Sequence, residues 1–207
     1  AHEIRSAGVD LVTLGDHAFQ RKGSSEFIDS NSAWCIRPFN LPVETTPGRG
    51  WCSLARADGV TLHVGNLIGR VFIGGAIDCP FKGADRLLSE IPAGEGRLVV
   101  IDFHAEATSE KWAMGRYLDG RVSLLVGTHT HVQTSDAQIL PGGTGYITDL
   151  GMTGSNTGVI GMDKRLSMVP RSISRVTDSA VKISMVMVRM VPTSPGTMLN
   201  CVAAAGL

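Results

Sequence analysis

The sequence predicts an α/β fold built around a mixed sheet. Three observations carry the prediction. Short apolar runs recur along the chain and end in turns rich in Gly or His. A helix-length segment, Glu106 to Leu118, separates two of those runs, as in a parallel strand–helix–strand unit. An Asp-Gly dipeptide at Asp58-Gly59 joins two further apolar runs, which is a hairpin signal and demands antiparallel pairing in the same domain.

The elements follow in order. Ile4-Arg5-Ser6-Ala7 reads as the tail of a helix stopped by Gly8. Val9 to Leu14 is a short buried strand that ends at Gly15, and Glu26 to Asp29 forms a helical turn. Asn40 to Gly50, rich in Pro, Thr and Gly, is a loop. Trp51 to Arg56 and Val60 to Val64 make the hairpin across Ala57-Asp58-Gly59. Arg97 to Asp102 is the clearest buried strand. The helix after it takes Thr108 or Ser109 as its cap, holds Glu110 in its first turn, and stops at Gly120. Val122 to Val126 and Gly145 to Leu150 are further strands, and Val181 to Val191 is strand-like. Pro192 to Leu207 is expected to be a poorly ordered tail. With no internal repeat and no linker, residues 1–207 read as one domain.

Charge and composition exclude several classes. Lys+Arg and Asp+Glu both number 19, so the chain lacks the basic balance of a bulk nucleic-acid or anionic-membrane binder. A small phosphorylated substrate needs only a local site and is not excluded. Cys35, Cys52, Cys79 and Cys201 are scattered without a close pair, which fits a reducing compartment better than a disulfide framework or a structural zinc site. No apolar run reaches the ~20 residues of a membrane span. The N-terminus lacks the basic-then-apolar form of a signal peptide. The expectation is a cytoplasmic protein.

The chemistry concentrates at strand ends. In Gly127-Thr128-His129-Thr130-His131, two histidines two residues apart follow an apolar strand, so both can face one spot. Leu98 to Ile101 runs into Asp102-Phe103-His104, and Leu11 to Leu14 runs into Gly15-Asp16-His17. Ligands of α/β sheets bind beyond the carboxyl ends of strands, so the three turns can converge. Asp16, His104, His129 and His131 then offer one carboxylate and three imidazoles, a set suited to iron, manganese or zinc. His2, at the terminus, and His63, inside the hairpin, read as structural.

Four stretches carry a closer resemblance. They are Leu14-Gly15-Asp16-His17, the run from Asp102 to Lys111 (Asp-Phe-His-Ala-Glu-Ala-Thr-Ser-Glu-Lys), the run from Gly127 to Thr134 (Gly-Thr-His-Thr-His-Val-Gln-Thr), and Tyr146 to Gly154. Together they closely resemble the YmdB-like metallophosphoesterases of the calcineurin-like superfamily. The resemblance runs from about His2 to Lys164 and fades after Arg165. It implies a four-layer αββα metallophosphoesterase sandwich with mixed sheets and a two-metal site, usually holding iron or manganese. It implies hydrolysis of phosphodiesters of small nucleotides, such as 2′,3′-cyclic nucleotides, by a metal-activated hydroxide. By position, His104 and His129 would ligate one metal and His131 the other. Asp16 stands where the family has an Asn ligand of the first metal. His17 stands where the family has a His that contacts the scissile phosphate and assists the leaving oxygen. The resemblance assigns no further substrate-binding residue, and the oligomeric state is open.

The chain departs from the family pattern in two places. Asp16 replaces a neutral ligand with a charged one. The opening strands of the pattern, with a metal-binding Asp and the bridging Glu, have no counterpart before Arg5. The expectation is therefore an N-terminally incomplete chain, lacking strands and leaving an unpaired sheet edge. The alternative is a non-catalytic remnant that binds one metal or a nucleotide and acts through partners. A metallo-β-lactamase site ranks below both, because Gln133 and Thr134 stand where its Asp and His would be.

Overall fold

The structure, a computed structural model, describes residues 2–56, 58–152, 157–161, 184–188 and 201–205, the last two segments by their backbone. Helix α1 (His2–Ser6), strand β1 (Leu11–Thr13), helix α2 (Ser24–Ser30) and strand β2 (Cys35–Ile36) come first. The hairpin β3 (Trp51–Ala55) and β4 (Thr61–Ile68) follows, then α3 (Pro80–Glu90), β5 (Arg97–His104), α4 (Thr108–Leu118) and β6 (Leu124–Thr128). The described chain closes with β7 (Gln138–Ile139), β8 (Gly145–Ile147), β9 (Ser184–Val188) and β10 (Cys201–Ala205).

Two mixed sheets result. The larger has the order β3-β4-β5-β6-β8-β7, with β4, β5, β6 and β8 parallel and the outer strands antiparallel to their neighbours. The smaller has the order β10-β9-β1-β2, in which only β1 and β2 are parallel. Side-chain alternation along each strand sorts the core into three layers of contact. On β5, Val99, Ile101 and Phe103 turn to α3 and α4, where they meet Leu87, Met114 and Leu118. The alternate residue Val100 packs with Leu62, Val64 and Val126 against Leu11 and Ile36 of the smaller sheet. The other face of that sheet, Val9, Val12, Leu14 and Cys35, packs on Ile28 with Ile4 and Phe27 from α1 and α2. The layer order is thus α, β, β, α, as the family resemblance implies.

That alternation also sets the site. Asp102 and His104 share the β5 face of Val100, so they enter the space between the sheets at its polar end. Thr13 of β1 and Thr128 of β6 reach the same region from either side.

Three expectations are corrected. Helix α3 has no counterpart in the sequence reading. Its signs were Pro80 in the first turn and apolar residues at Phe81, Ala84, Leu87 and Leu88, of which Ala84 and Leu87 are buried. Helix α4 is capped by neither Thr108 nor Ser109: Ala107 occupies the cap and gives no side-chain bond. The strand before it runs on to His104, and the short turn that follows is spent burying Ala105 and Ala107. Finally, Cys201–Ala205, placed by sequence in a poorly ordered tail, is strand β10, paired along five positions with β9. Its run of small residues lacks the alternation that marks a strand in sequence.

Candidate metal centre

The turns after β1, β5 and β6 meet at one end of the sandwich. Asp16 Oδ1 lies 3.0 Å from His104 Nε2, and His129 Nδ1 lies 3.0 Å from the same nitrogen. His129 Nδ1 and Asp16 Oδ1 are 3.7 Å apart. One ligand atom from each of these residues falls within 4.8 Å of the others, the only such cluster of His, Cys, Asp or Glu among the described residues. Asp16 and His129 border a cleft of roughly 320 Å³ whose other walls are His17, Glu106, Thr130, His131 and Ile160, and His104 is buried behind them.

Each member is held by a different device. His104 is buried at the end of β5, and its Nδ1 is 3.1 Å from Thr128 Oγ1. Burial pushes the His104 imidazolium down from its ordinary pKa, against the pull of Asp16, so the ring is neutral at neutral pH. Burial alone would raise Asp16, but the adjoining His104 and His129 rings outweigh it and hold its carboxyl well below the usual carboxylate range. Gly15 makes room for the ring: a Cβ there would collide with His104 Cε1.

His129 and His131 adopt left-handed backbone at φ 100° and 65°. Such conformations cost about 1–3 kcal/mol each in a non-glycine residue and persist where surrounding contacts impose them. The contacts are visible. Thr130, between the two histidines, donates from its backbone N–H and its hydroxyl to Asp149 Oδ2, at 3.2 and 2.8 Å. Asp149 is in turn paired with Lys111 Nζ at 2.7 Å, both side chains 1% exposed. Gly127 lets β6 lie close enough for this, since a Cβ there would overlap the Thr148 carbonyl oxygen. A buried ion pair is weak evidence for stability, but here it fixes a strained loop.

Of the five residues singled out in sequence, Asp16, His104 and His129 form the trio. His17 lies beside it, with Nε2 3.7 Å from Asp16 Oδ2 and a buried Nδ1 that has no hydrogen-bond partner among the described residues. His131 is in the cleft wall but outside the trio, and its Nδ1–H donates to the Ile160 carbonyl at 3.0 Å. His63, read as structural, bonds Ser53 across the hairpin at 2.8 Å.

Sequence reasoning missed the supporting residues. Asp102 accepts from Thr13 and Thr128, and burial pushes its carboxyl up to about 6. Glu106 Oε2 stands 3.0 Å from His129 Nε2. Glu110 accepts from the Arg70 and Val71 backbone amides and ties down the segment after β4. Apart from Thr13, all lie inside the motif runs, yet no spacing rule distinguishes a ligand from the residue that holds it.

Comparisons with known proteins bear on the family and the fold. The model of the YmdB-like protein family matches residues 1–194. The 2′,3′-cyclic-nucleotide 2′-phosphodiesterase of Bacillus subtilis (strain 168) is 50% identical over 163 residues, 79% of this chain and 60% of that protein. The chain spans about three fifths of the length of the curated relatives it matches. Among solved structures, a hypothetical protein from Thermus thermophilus superposes with a TM-score of 0.74 at 36% identity, covering 98% of this chain and 79% of that one. A phosphatase from Mycoplasma pneumoniae gives a TM-score of 0.73 at 27% identity, covering 99% and 75%. By family match, by identity and by fold, the chain belongs to the YmdB-like family.

Proposed function

We propose that this chain is the metal-binding body of a phosphodiesterase acting on small nucleotides, 2′,3′-cyclic nucleotides among them, and that residues 1–207 form one domain of it. The observation that carries the reading is the convergence of Asp16 Oδ1, His104 Nε2 and His129 Nδ1 from three strand ends. Two imidazole nitrogens and one carboxylate oxygen suit a borderline transition metal, and we assign iron or manganese. The name of the Bacillus subtilis relative supports the substrate class.

Asp16, His104 and His129 would hold one ion, and His131, in the wall of the same cleft, would serve a second. Such ions would supply a lowered pKa for water and charge neutralisation at phosphoryl oxygens. The remaining work falls to side chains of the cleft. His17 contacts the phosphate and gives a hydrogen bond or proton to the leaving oxygen, which its partnerless Nδ1 and its place beside Asp16 favour. The charge on Asp16 tightens the hold on a cation and weakens the hold on an anionic substrate relative to a neutral amide.

A second reading has its own support. Among the described residues one trio is assembled, not two. A non-catalytic protein that binds a single ion or a nucleotide and acts through partners fits that count. Metal analysis of the purified protein, with assays on bis-p-nitrophenyl phosphate and 2′,3′-cyclic AMP, separates the two. Turnover of either substrate by metal-loaded protein supports the phosphodiesterase; metal-loaded protein inactive on both favours the single-ion binder. His129→Ala is expected to lose metal and activity together. His17→Ala is expected to keep the metal and slow turnover about 10²–10⁴-fold, the range for a general acid; metal loss in that variant refutes the role given to His17.

A further inference from the structure

We propose that a second cleft, walled by Trp112 and Asp136, seats the nucleoside part of the substrate and selects bases that carry an exocyclic amino group. The link to a nucleotide substrate rests on the phosphodiesterase reading above; the cleft and its hydrogen-bonding groups stand without it.

The cleft holds roughly 680 Å³, against roughly 320 Å³ beside the metal trio. Thr108 and Gln133 are among its walls. Each stands two residues past a wall of the metal cleft, Thr108 after Glu106 and Gln133 after His131. Two residues of chain span at most about 7 Å, so one nucleotide can reach from one cleft into the other.

The two clefts differ in charge. Among the described residues no Lys, Arg or His lines the second, and Asp136 brings a carboxylate into it. A phosphate is repelled there, while a neutral group that donates hydrogen bonds is favoured. The carboxylate is held in one orientation. Asp136 Oδ1 accepts from the Thr134 hydroxyl at 2.6 Å and from the Thr148 amide at 3.1 Å, and Oδ2 accepts from the Thr148 hydroxyl. Having given its proton to Asp136, the Thr148 hydroxyl accepts from the Tyr146 hydroxyl at 3.0 Å. An ionised carboxylate oxygen takes about two donors, so Oδ1 is filled and Oδ2 keeps one open site.

Around that site stand groups with no partner among the described residues: the hydroxyls of Thr108 and Ser135, the side-chain amide of Gln133 and the indole N–H of Trp112. The Trp112 ring is fixed by the Tyr146 ring, 4.9 Å away between centroids, and by the Arg116 guanidinium, 5.3 Å from its own centroid. Adenine, cytosine and guanine each carry an amino group that donates, and each carries acceptors beside it. The amino N–H fills the open site on Asp136 Oδ2, and the hydroxyls, the amide and the indole N–H serve the acceptors. Asp136 is thus a specificity residue, and it does not touch the reacting phosphate.

The test titrates the protein with adenosine and with purine riboside, which differ only in the amino group, and follows the indole N–H signals by ¹⁵N NMR. The Trp112 signal, identified by its loss in Trp112→Phe, is expected to shift with adenosine at concentrations about tenfold below those that purine riboside needs, the effect of one hydrogen bond to a charged group. Asp136→Asn, which keeps the shape and removes the charge, is expected to bring the two nucleosides within about threefold of each other. In turnover of 2′,3′-cyclic AMP the same variant is expected to raise KM more than it lowers kcat. A Trp112 signal that adenosine does not move overturns the inference, as does equal binding of the two nucleosides by the wild type or an adenosine preference retained in Asp136→Asn. If that variant does not fold, the wild-type comparison decides alone. If the wild type hydrolyses no cyclic nucleotide, the phosphodiesterase reading falls, while the nucleoside titration still decides the cleft.

Discussion

Lys111→Met removes the cation from the buried pair beneath the site and keeps most of the side-chain volume. Lys111 and Asp149 are each 1% exposed and 2.7 Å apart, so the variant leaves a buried carboxylate without a counter-charge. Losing one partner of such a pair costs about 3–5 kcal/mol. Asp149 keeps three other donors: the Thr130 amide, the Thr130 hydroxyl and the Gly151 amide at 2.8 Å. They offset part of the loss and place the expectation near the lower bound, about 3 kcal/mol. For a chain of this size, 1 kcal/mol moves Tm by about 2–4 °C, so the shift is about 6–12 °C downward. Urea unfolding followed by circular dichroism, with m unchanged, gives the free energy directly. Lys82→Met on the exposed face of α3 is the control and stays within about 0.5 kcal/mol. A loss below about 1 kcal/mol in Lys111→Met would refute the claim that the pair restrains this loop.

Other expectations follow from the same contacts. Gly15→Ala puts a methyl group into the His104 ring, so it should abolish metal binding at a stability cost of about 1–3 kcal/mol, read by calorimetry and thermal melting; a variant that binds metal normally would show that the ring has another place to go. Glu110→Ala strands the amides of Arg70 and Val71, and faster hydrogen exchange confined to residues 69–72 is the expected sign, measured by mass spectrometry. Burial pushes the Cys35 thiol up to about 11. The thiolate is therefore scarce at pH 8, and iodoacetamide should label Cys35 only once urea unfolds the chain. Labelling in the native state at the rate of a free thiol would contradict that burial.

How much was legible in advance depended on what kind of signal each residue carries. Strand β5 announced itself because Leu98 to Ile101 is an unbroken apolar run, as a strand covered on both faces must be. The hairpin followed from Asp58-Gly59, and helix α4 from its position between two strands. Helix α3 was passed over because Lys82, Asp85 and Arg86 of its exposed face interleave with its short apolar stripe in the linear sequence, and its role is visible only against Leu67 and Ile101. The trio was legible as three strand ends bearing His or Asp. Glu106 was not, since an exposed Glu after a strand has no pattern of its own.

The sequence by itself determined which strands run into the site, the candidate ligand side chains and the family. Those follow from local periodicity and from residue types that few other chemistries need together. The family resemblance already set His131 apart from His104 and His129; only the tertiary structure decided which way their rings face. In local pattern His129 and His131 are equivalent, two residues apart on one run. They differ in the fold because Asp149, held by Lys111 from α4, pins Thr130 between them and forces both into left-handed backbone. One ring then turns to Asp16 and His104 and the other to the carbonyl of Ile160. Ring direction depends on partners brought from other strands and helices, and no local pattern encodes where those partners will stand.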